Sequence, residues 1–246
     1  MLAAFGLVLN LLLLLVAANS HRERHAAVVA RRMVNFESNL HFNSLRTDGT
    51  PVSLVEYYVS SDSCPDVDGL SNNGNPILLL SKMSTSYKNW QRNSSVSLTI
   101  EKEKWGHFDS AMRKPRGNFF GTLKKLELSH RDARHLARHF VIRHPDARHW
   151  LPGQGESHVH DTQWFEFQVE SVYFIGGFGD RAYIGNISGE AYHKKLGIDK
   201  IVDPCEYLHL DERRGHEEAT QQQDSAFDRD SLQGFFQFIK SIVTRY

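Results

Sequence analysis

The sequence predicts a mainly β fold, an antiparallel barrel of about six strands with short helices at its corners. Three observations lead there. Short runs of alternating or continuous β-favouring residues recur along the chain, turn signals separate them, and no regular alternation of strand and helix exists to build a parallel sheet. The chain has 246 residues, 29 basic and 29 acidic side chains, and a pI near 7.3, which describes one globular domain with appendages. This balance supplies no global attraction for nucleic acid or an anionic membrane.

The elements follow in order. Residues 25–34, HAAVVARRMV, place Ala26, Val29, Ala30 and Met33 at helical spacing. Strands are expected over residues 40–45 and 51–60, separated by a turn at Asp48-Gly49. Residues 61–75, rich in Asp, Ser, Asn and Gly, read as a long exposed loop, and residues 77–80 as a continuous apolar strand. STSYKNWQRN, residues 84–93, opens with hydroxyl residues and reads as a short capped helix. Val96, Leu98 and Ile100 alternate as a strand does, a polar loop covers residues 105–116, and residues 119–128 form the next strand. Ala133, Leu136, Ala137 and Phe140 mark a helix over residues 131–143 that Pro145 ends.

The last strand, residues 164–175, runs into a cluster of glycines, WFEFQVESVYFIGGFGDRAYI, as a nucleotide-binding loop can. Such a loop needs a following helix whose N-terminus holds the phosphate, and the residues after Gly179 have no helical period. Phe165, Phe167 and Val169 alternate with polar residues, then the phase slips near Ser171 as at a bulge. A bent barrel strand is the better reading. Its aromatics, with Phe174 foremost, are expected at a surface that a second copy covers.

Residues 1–20 contain an apolar stretch from Leu7 to Val16 followed by small residues, the pattern of a secretory signal peptide. No Lys or Arg precedes the stretch, which leaves an uncleaved anchor as the alternative, with HRERH on its cytoplasmic side. Asn93 and Asn186 open Asn-x-Ser glycosylation sequons. The two cysteines, Cys64 and Cys205, suit one disulfide in an oxidising compartment, or two buried thiols. Residues 211–229 form an acidic, glutamine-rich linker, and Leu232, Phe235, Phe236, Ile239, Ile242 and Val243 then mark an amphipathic C-terminal helix suited to docking on the barrel or a partner.

Catalytic signatures are sparse. His135 and His139 share a helix face at the spacing metal ligands use, but no third ligand follows and a solvated face is the default. The pair in HVH, His158 and His160, is equally indefinite. Arg131, Arg134, Arg138, Arg143 and Arg148 make a basic stripe without the framework of a nucleic-acid recognition motif. No Gly-x-Ser-x-Gly elbow is present, and neither cysteine has a catalytic context.

HAAVVARRMV, SYKNWQRNSSVSLTI, HFVIRHPDARHW and the glycine-ended strand, in this order over residues 25–195, resemble the CREG group of secreted glycoproteins. These are similar to the pyridoxamine 5'-phosphate oxidase-like split barrels, which commonly bind FMN. The resemblance implies a homodimer of six-stranded antiparallel split β-barrels, with the glycines leading toward the dimer seam. With the features read from the residues, the chain is expected to divide into a signal peptide (1–20), a CREG-like barrel domain (21–210) and the linker with its C-terminal helix (211–246).

The flavin-binding relatives hold the FMN phosphate with an arginine and a lysine on an early strand, and with Ser-x-Arg/Lys-type residues at the start of a small helix. Ser86 and Lys88 match the second segment. Residues 51–60 depart from the first, offering Glu56 and no Lys or Arg. A phosphate beside a carboxylate and short of cations is disfavoured, so no cofactor is expected. The expectation is a secreted or endolysosomal, glycosylated, non-catalytic dimer that binds another macromolecule, with no nucleic acid and no stable membrane insertion after signal cleavage. The alternative is an FMN-dependent oxidoreductase, and a haem-handling protein of the same fold comes third.

Overall fold

The computed structural model describes residues 20–103, 110–153, 161–178 and 182–194. The strands are β1 (Asn39–Leu45), β2 (Pro51–Ser60), β3 (Pro76–Ser81), β4 (Ser97–Glu101), β5 (Arg116–Lys125), β6 (Thr162–Ile175) and β7 (Ile184–Ser188). The helices are α1 (residues 20–36), α2 (Thr85–Arg92), α3 (His130–Arg143) and α4 (Gly189–His193), with 3-10 turns at Ser61–Ser63, Ala111–Arg113 and Pro145–Trp150. The sheet runs β3-β2-β1-β4-β5-β6-β7, and β3 also pairs with β6, so six antiparallel strands close a barrel and β7 extends it.

The expected alternation points Leu40 and Phe42 of β1 and Leu98 and Ile100 of β4 into the barrel. Phe165, Phe167, Val172 and Phe174 of β6 join them, and α1 closes the core with Ala26, Ala30, Met33 and Val34. The continuous apolar run of β3 serves two cores. Leu78 and Leu80 face the barrel, whereas Ile77 and Leu79 join a second cluster with Val59, Trp164 and the α3 residues Leu136 and Phe140. α3 starts where Ser129 accepts the Asp132 N–H at 3.1 Å.

The phase slip near Ser171 is a bulge. Ser171 faces Phe120 while Val169 faces Gly121, so Glu170 is the extra residue. Gly121 belongs there because a Cβ would strike the Gln168 carbonyl oxygen, which is backbone and cannot swing aside. Gly121→Ala therefore lowers unfolding free energy by about 1–3 kcal/mol in urea denaturation, the cost of overpacking. Gly176 and Gly177 follow β6, which pairs antiparallel with β7. The Gly176 N–H donates to the Tyr183 carbonyl at 2.8 Å, and Ile175 pairs with Ile184. Gly177 takes φ +153°, and a strand, β7, stands where a nucleotide loop would need its helix.

Several expectations are corrected. β5 spans Arg116–Lys125 rather than residues 119–128, and α1 is longer at both ends than residues 25–34. β7 was not anticipated as a strand. The loop over residues 61–75 is not simply exposed: Ser61 and Asn75 are buried, Asn75 on Glu166 of β6, and Cys64, Val67 and Leu70 are buried in the cluster that holds Leu136 and Phe140 of α3. Phe174 is buried in the barrel at 1% exposure, because β6 turns its aromatics inward, and Tyr173 is the ring it leaves outside. The signal segment, Cys205, His158, His160, the linker and the C-terminal helix lie outside the described residues. Among the described residues no helix is long and apolar enough to cross a membrane.

Candidate functional site

The barrel parts where β2 leaves β3. β2 pairs with β1 from Pro51 to Tyr57 but meets β3 only over Tyr58, Val59 and Ser60. β3 continues instead along β6, from Ile77 opposite Glu166 to Ser81 opposite Thr162. Between the parted strands lies a cleft of about 360 Å³ lined by Val55, Glu56 and Tyr57 of β2, Leu79 and Ser81 of β3, and Ser84, Trp150 and Thr162.

α2 begins at this cleft. Ser84 caps it by accepting the Tyr87 N–H at 3.1 Å. Ser86, one of the two residues matched to the flavin phosphate site, is fully buried, and its hydroxyl has no hydrogen-bond partner of good geometry among the described residues. It lies near enough to the Glu56 carboxyl to favour the ionised form. Burial acts more strongly, and raises the Glu56 pKa above its ordinary value. Lys88 is exposed, two residues on and so about 200° around the helix from Ser86. The fold brings Ser86 to Glu56 and turns Lys88 away.

No Lys or Arg lines the cleft among the described residues. The nearest along the two strands is Lys82, whose Nζ pairs with Asp161 at 2.5 Å, one residue beyond the Ser81–Thr162 pair. The Tyr57 ring is held in place from behind. It stacks on His144 with centroids 4.1 Å apart and donates its hydroxyl to Asp146 at 3.0 Å. His144 is buried, which lowers its pKa, and its Nε2 lies 3.0 Å from the Tyr58 carbonyl oxygen. Thr162 donates to the Trp150 carbonyl at 2.6 Å.

The remaining candidates fall elsewhere. Asn93 follows α2 and Asn186 lies on β7, both exposed as glycan acceptors must be. Cys64 is fully buried, and burial pushes its thiol up to about 12; its proposed partner Cys205 lies outside the described residues. His135 and His139 do not simply face solvent. They bracket Asp66, with His135 Nδ1 at 3.0 Å and His139 Nε2 at 2.5 Å from its two carboxylate oxygens, and the His139 contact holds that carboxyl below its usual range. Among the described residues no group of three or more His, Cys, Asp or Glu side chains is arranged to hold a metal. In the arginine stripe, Arg143 donates to the Phe36 and Asn35 carbonyls at 2.8 and 2.7 Å, closing the C-terminal end of α1. Tyr57, Trp150 and Thr162 carried no signal in the sequence, because only the parting of the strands brings them together.

A six-stranded antiparallel barrel whose strands separate beside a small capped helix is a split β-barrel of the pyridoxamine 5'-phosphate oxidase-like class. Two of the solved structures that share this fold are as follows. The heme binding protein of Mycobacterium smegmatis is 21% identical with a TM-score of 0.52, over 68% of this chain and 60% of its own. A protein of unknown function from Agrobacterium tumefaciens is 17% identical with a TM-score of 0.51, over 70% of this chain and 62% of its own. At these identities the likeness establishes the fold alone. No curated protein matches the chain. Residues 21–194 match the model of the family described as CREG, beta-barrel, and the chain belongs to that family.

Proposed function

We propose that this chain is a non-catalytic binding module of the secretory or endolysosomal pathway, a glycosylated homodimer whose split-barrel cleft has given up flavin. One observation carries the reading. Where a flavin phosphate would need cations, the cleft presents the Glu56 carboxylate, with Ser86 buried against it and Lys88 turned outward. The test is the visible absorbance of full-length protein purified from a eukaryotic secretory host. Colourless protein supports the reading; a flavin spectrum favours the oxidoreductase, and a haem spectrum a cofactor role such as that named for the mycobacterial neighbour.

The sheet offers a face for the second copy. Val55, His41, Thr99, Asn118, Tyr173 and Asn186 pair in one row across β2, β1, β4, β5, β6 and β7. The next row carries Phe120 on the same face, opposite Ser97 and Ser171. Phe120 and Tyr173 are large and exposed, and the buried Asn118 Oδ1 between them lacks a hydrogen-bond partner among the described residues. A partner surface that covers the rings and supplies a donor answers both features. Asn186 stands at the β7 end of the row, so a glycan there bounds the covered area. The double variant Phe120→Asp/Tyr173→Asp sediments as a folded monomer at micromolar concentration where the wild type is a dimer. Phe174→Asp, which places a charge in the core, fails to fold.

A further inference from the structure

A half-buried carboxylate with no cation beside it is an expensive arrangement. Desolvation raises the Glu56 pKa, and only the Ser86 side chain opposes it; no Lys or Arg among the described residues contributes. Burial of a charge is ordinarily offset by an opposite charge in contact. Here the remaining lining contributes none: Val55 and Leu79 are apolar, Ser81, Ser84 and Thr162 are hydroxyls, and Tyr57 and Trp150 are aromatic. Thr162 already donates its proton to the Trp150 carbonyl, so its oxygen is left to accept.

We propose that the cleft between β2 and β3 binds an organic cation, an ammonium or guanidinium group on an aliphatic stem, with its charge on Glu56. The carboxylate fixes the head group, the hydroxyl oxygens accept its remaining N–H donors, and the aromatic residues suit a cation through their ring faces. Leu79 supplies apolar surface for the stem. The volume, about 360 Å³, accepts one such side chain and sits at the small end of ligand clefts. The strand beside it also fits a peptide source. From Pro51 to Tyr57, β2 has β1 on one side and no strand on the other among the described residues, which leaves main-chain groups for an extended segment to pair with. This inference deepens the binding-module reading and rests on it, since a flavin in the cleft would exclude the cation.

The test uses glycosylated full-length protein and two probes, a fluorescein-labelled Ala-Ala-Lys-Ala-Ala peptide with blocked ends and n-butylamine as its competitor, with FMN titrated in parallel. The peptide is expected to bind saturably, and to weaken about tenfold or more both when its lysine is acetylated and in Glu56→Gln, which keeps the side-chain shape. Unchanged thermal midpoints establish that the variant is folded. Competition by butylamine at the peptide's own affinity identifies a free amine as sufficient; markedly weaker competition assigns the difference to the β2 edge. Equal binding by Glu56→Gln, or no saturable binding of either probe to the wild type, overturns the proposal. Tight FMN binding overturns the binding-module reading itself, whereas failure of both probes without FMN binding sinks this inference alone.

Discussion

Arg31→Ala lowers the unfolding free energy by about 3–5 kcal/mol, the cost of leaving one member of a buried ion pair without its partner. The side chains of Arg31 and Asp62 are 3% and 5% exposed. Arg31 Nε donates to Asp62 Oδ2 at 2.7 Å and its Nη2 to Oδ1 at 2.8 Å, a two-pronged geometry that a lysine cannot reproduce. Its Nη1 also donates to the Lys194 carbonyl at 3.0 Å. One residue of α1 thereby ties together the 3-10 turn after β2 and the chain beyond α4. Gly74 makes room for it, since a Cβ there would lie 2.8 Å from Arg31 Nε. Alanine removes the cation and strands the Asp62 carboxylate. The double variant Arg31→Met/Asp62→Leu recovers much of the loss, because two apolar side chains leave no charge unpaired. Guanidinium denaturation of both variants measures the difference.

The second large effect is a gain. Glu56→Lys raises FMN affinity by about a hundredfold, near 2.7 kcal/mol, in fluorescence titration. The substitution removes the charge that repels a dianionic phosphate and supplies a charge-assisted hydrogen bond worth about 1.5–3 kcal/mol. Ser86 is the matched residue already in place beside it, with no other hydrogen-bond partner for its hydroxyl among the described residues. An unchanged affinity in the lysine variant places the obstacle to flavin elsewhere than in the charge of this strand.

The parts of the fold that were legible in the sequence are those set by local period. β1, β2, β4 and the capped start of α2 appear within a residue or two of their expected places, because the alternation of β4 and the hydroxyl cap of α2 are written in adjacent residues. The bulge in β6 was legible as a slip of phase. The burial of residues 61–75 was not. Their composition is that of a turn, and long-range contacts hold them against the core: Arg31 of α1 on Asp62, His135 and His139 of α3 on Asp66, and Asn75 on Glu166 of β6. The inward aim of Phe174 escaped notice because the slip at Glu170 decides which face each later residue takes.

The site divides in the same way. Ser86 and Glu56 were singled out from the resemblance, and their neighbourhood follows from the fold. Lys88 was paired with Ser86 by the Ser-x-Arg/Lys pattern of the flavin-binding relatives, but residues two apart on a helix point apart, and here Ser86 is buried and Lys88 exposed. The cleft itself depends on the register at which β3 leaves β2 for β6, a long-range choice that no local pattern records.

The most direct measurement is a fluorescence titration of FMN with wild-type, full-length protein at near-neutral pH and moderate salt. An unpaired carboxylate in the cleft predicts FMN emission that stays constant as protein is added in large excess. Stoichiometric quenching that Lys88→Ala abolishes would contradict the account, because the phosphate would then be held by the cation that the fold turns away from Ser86.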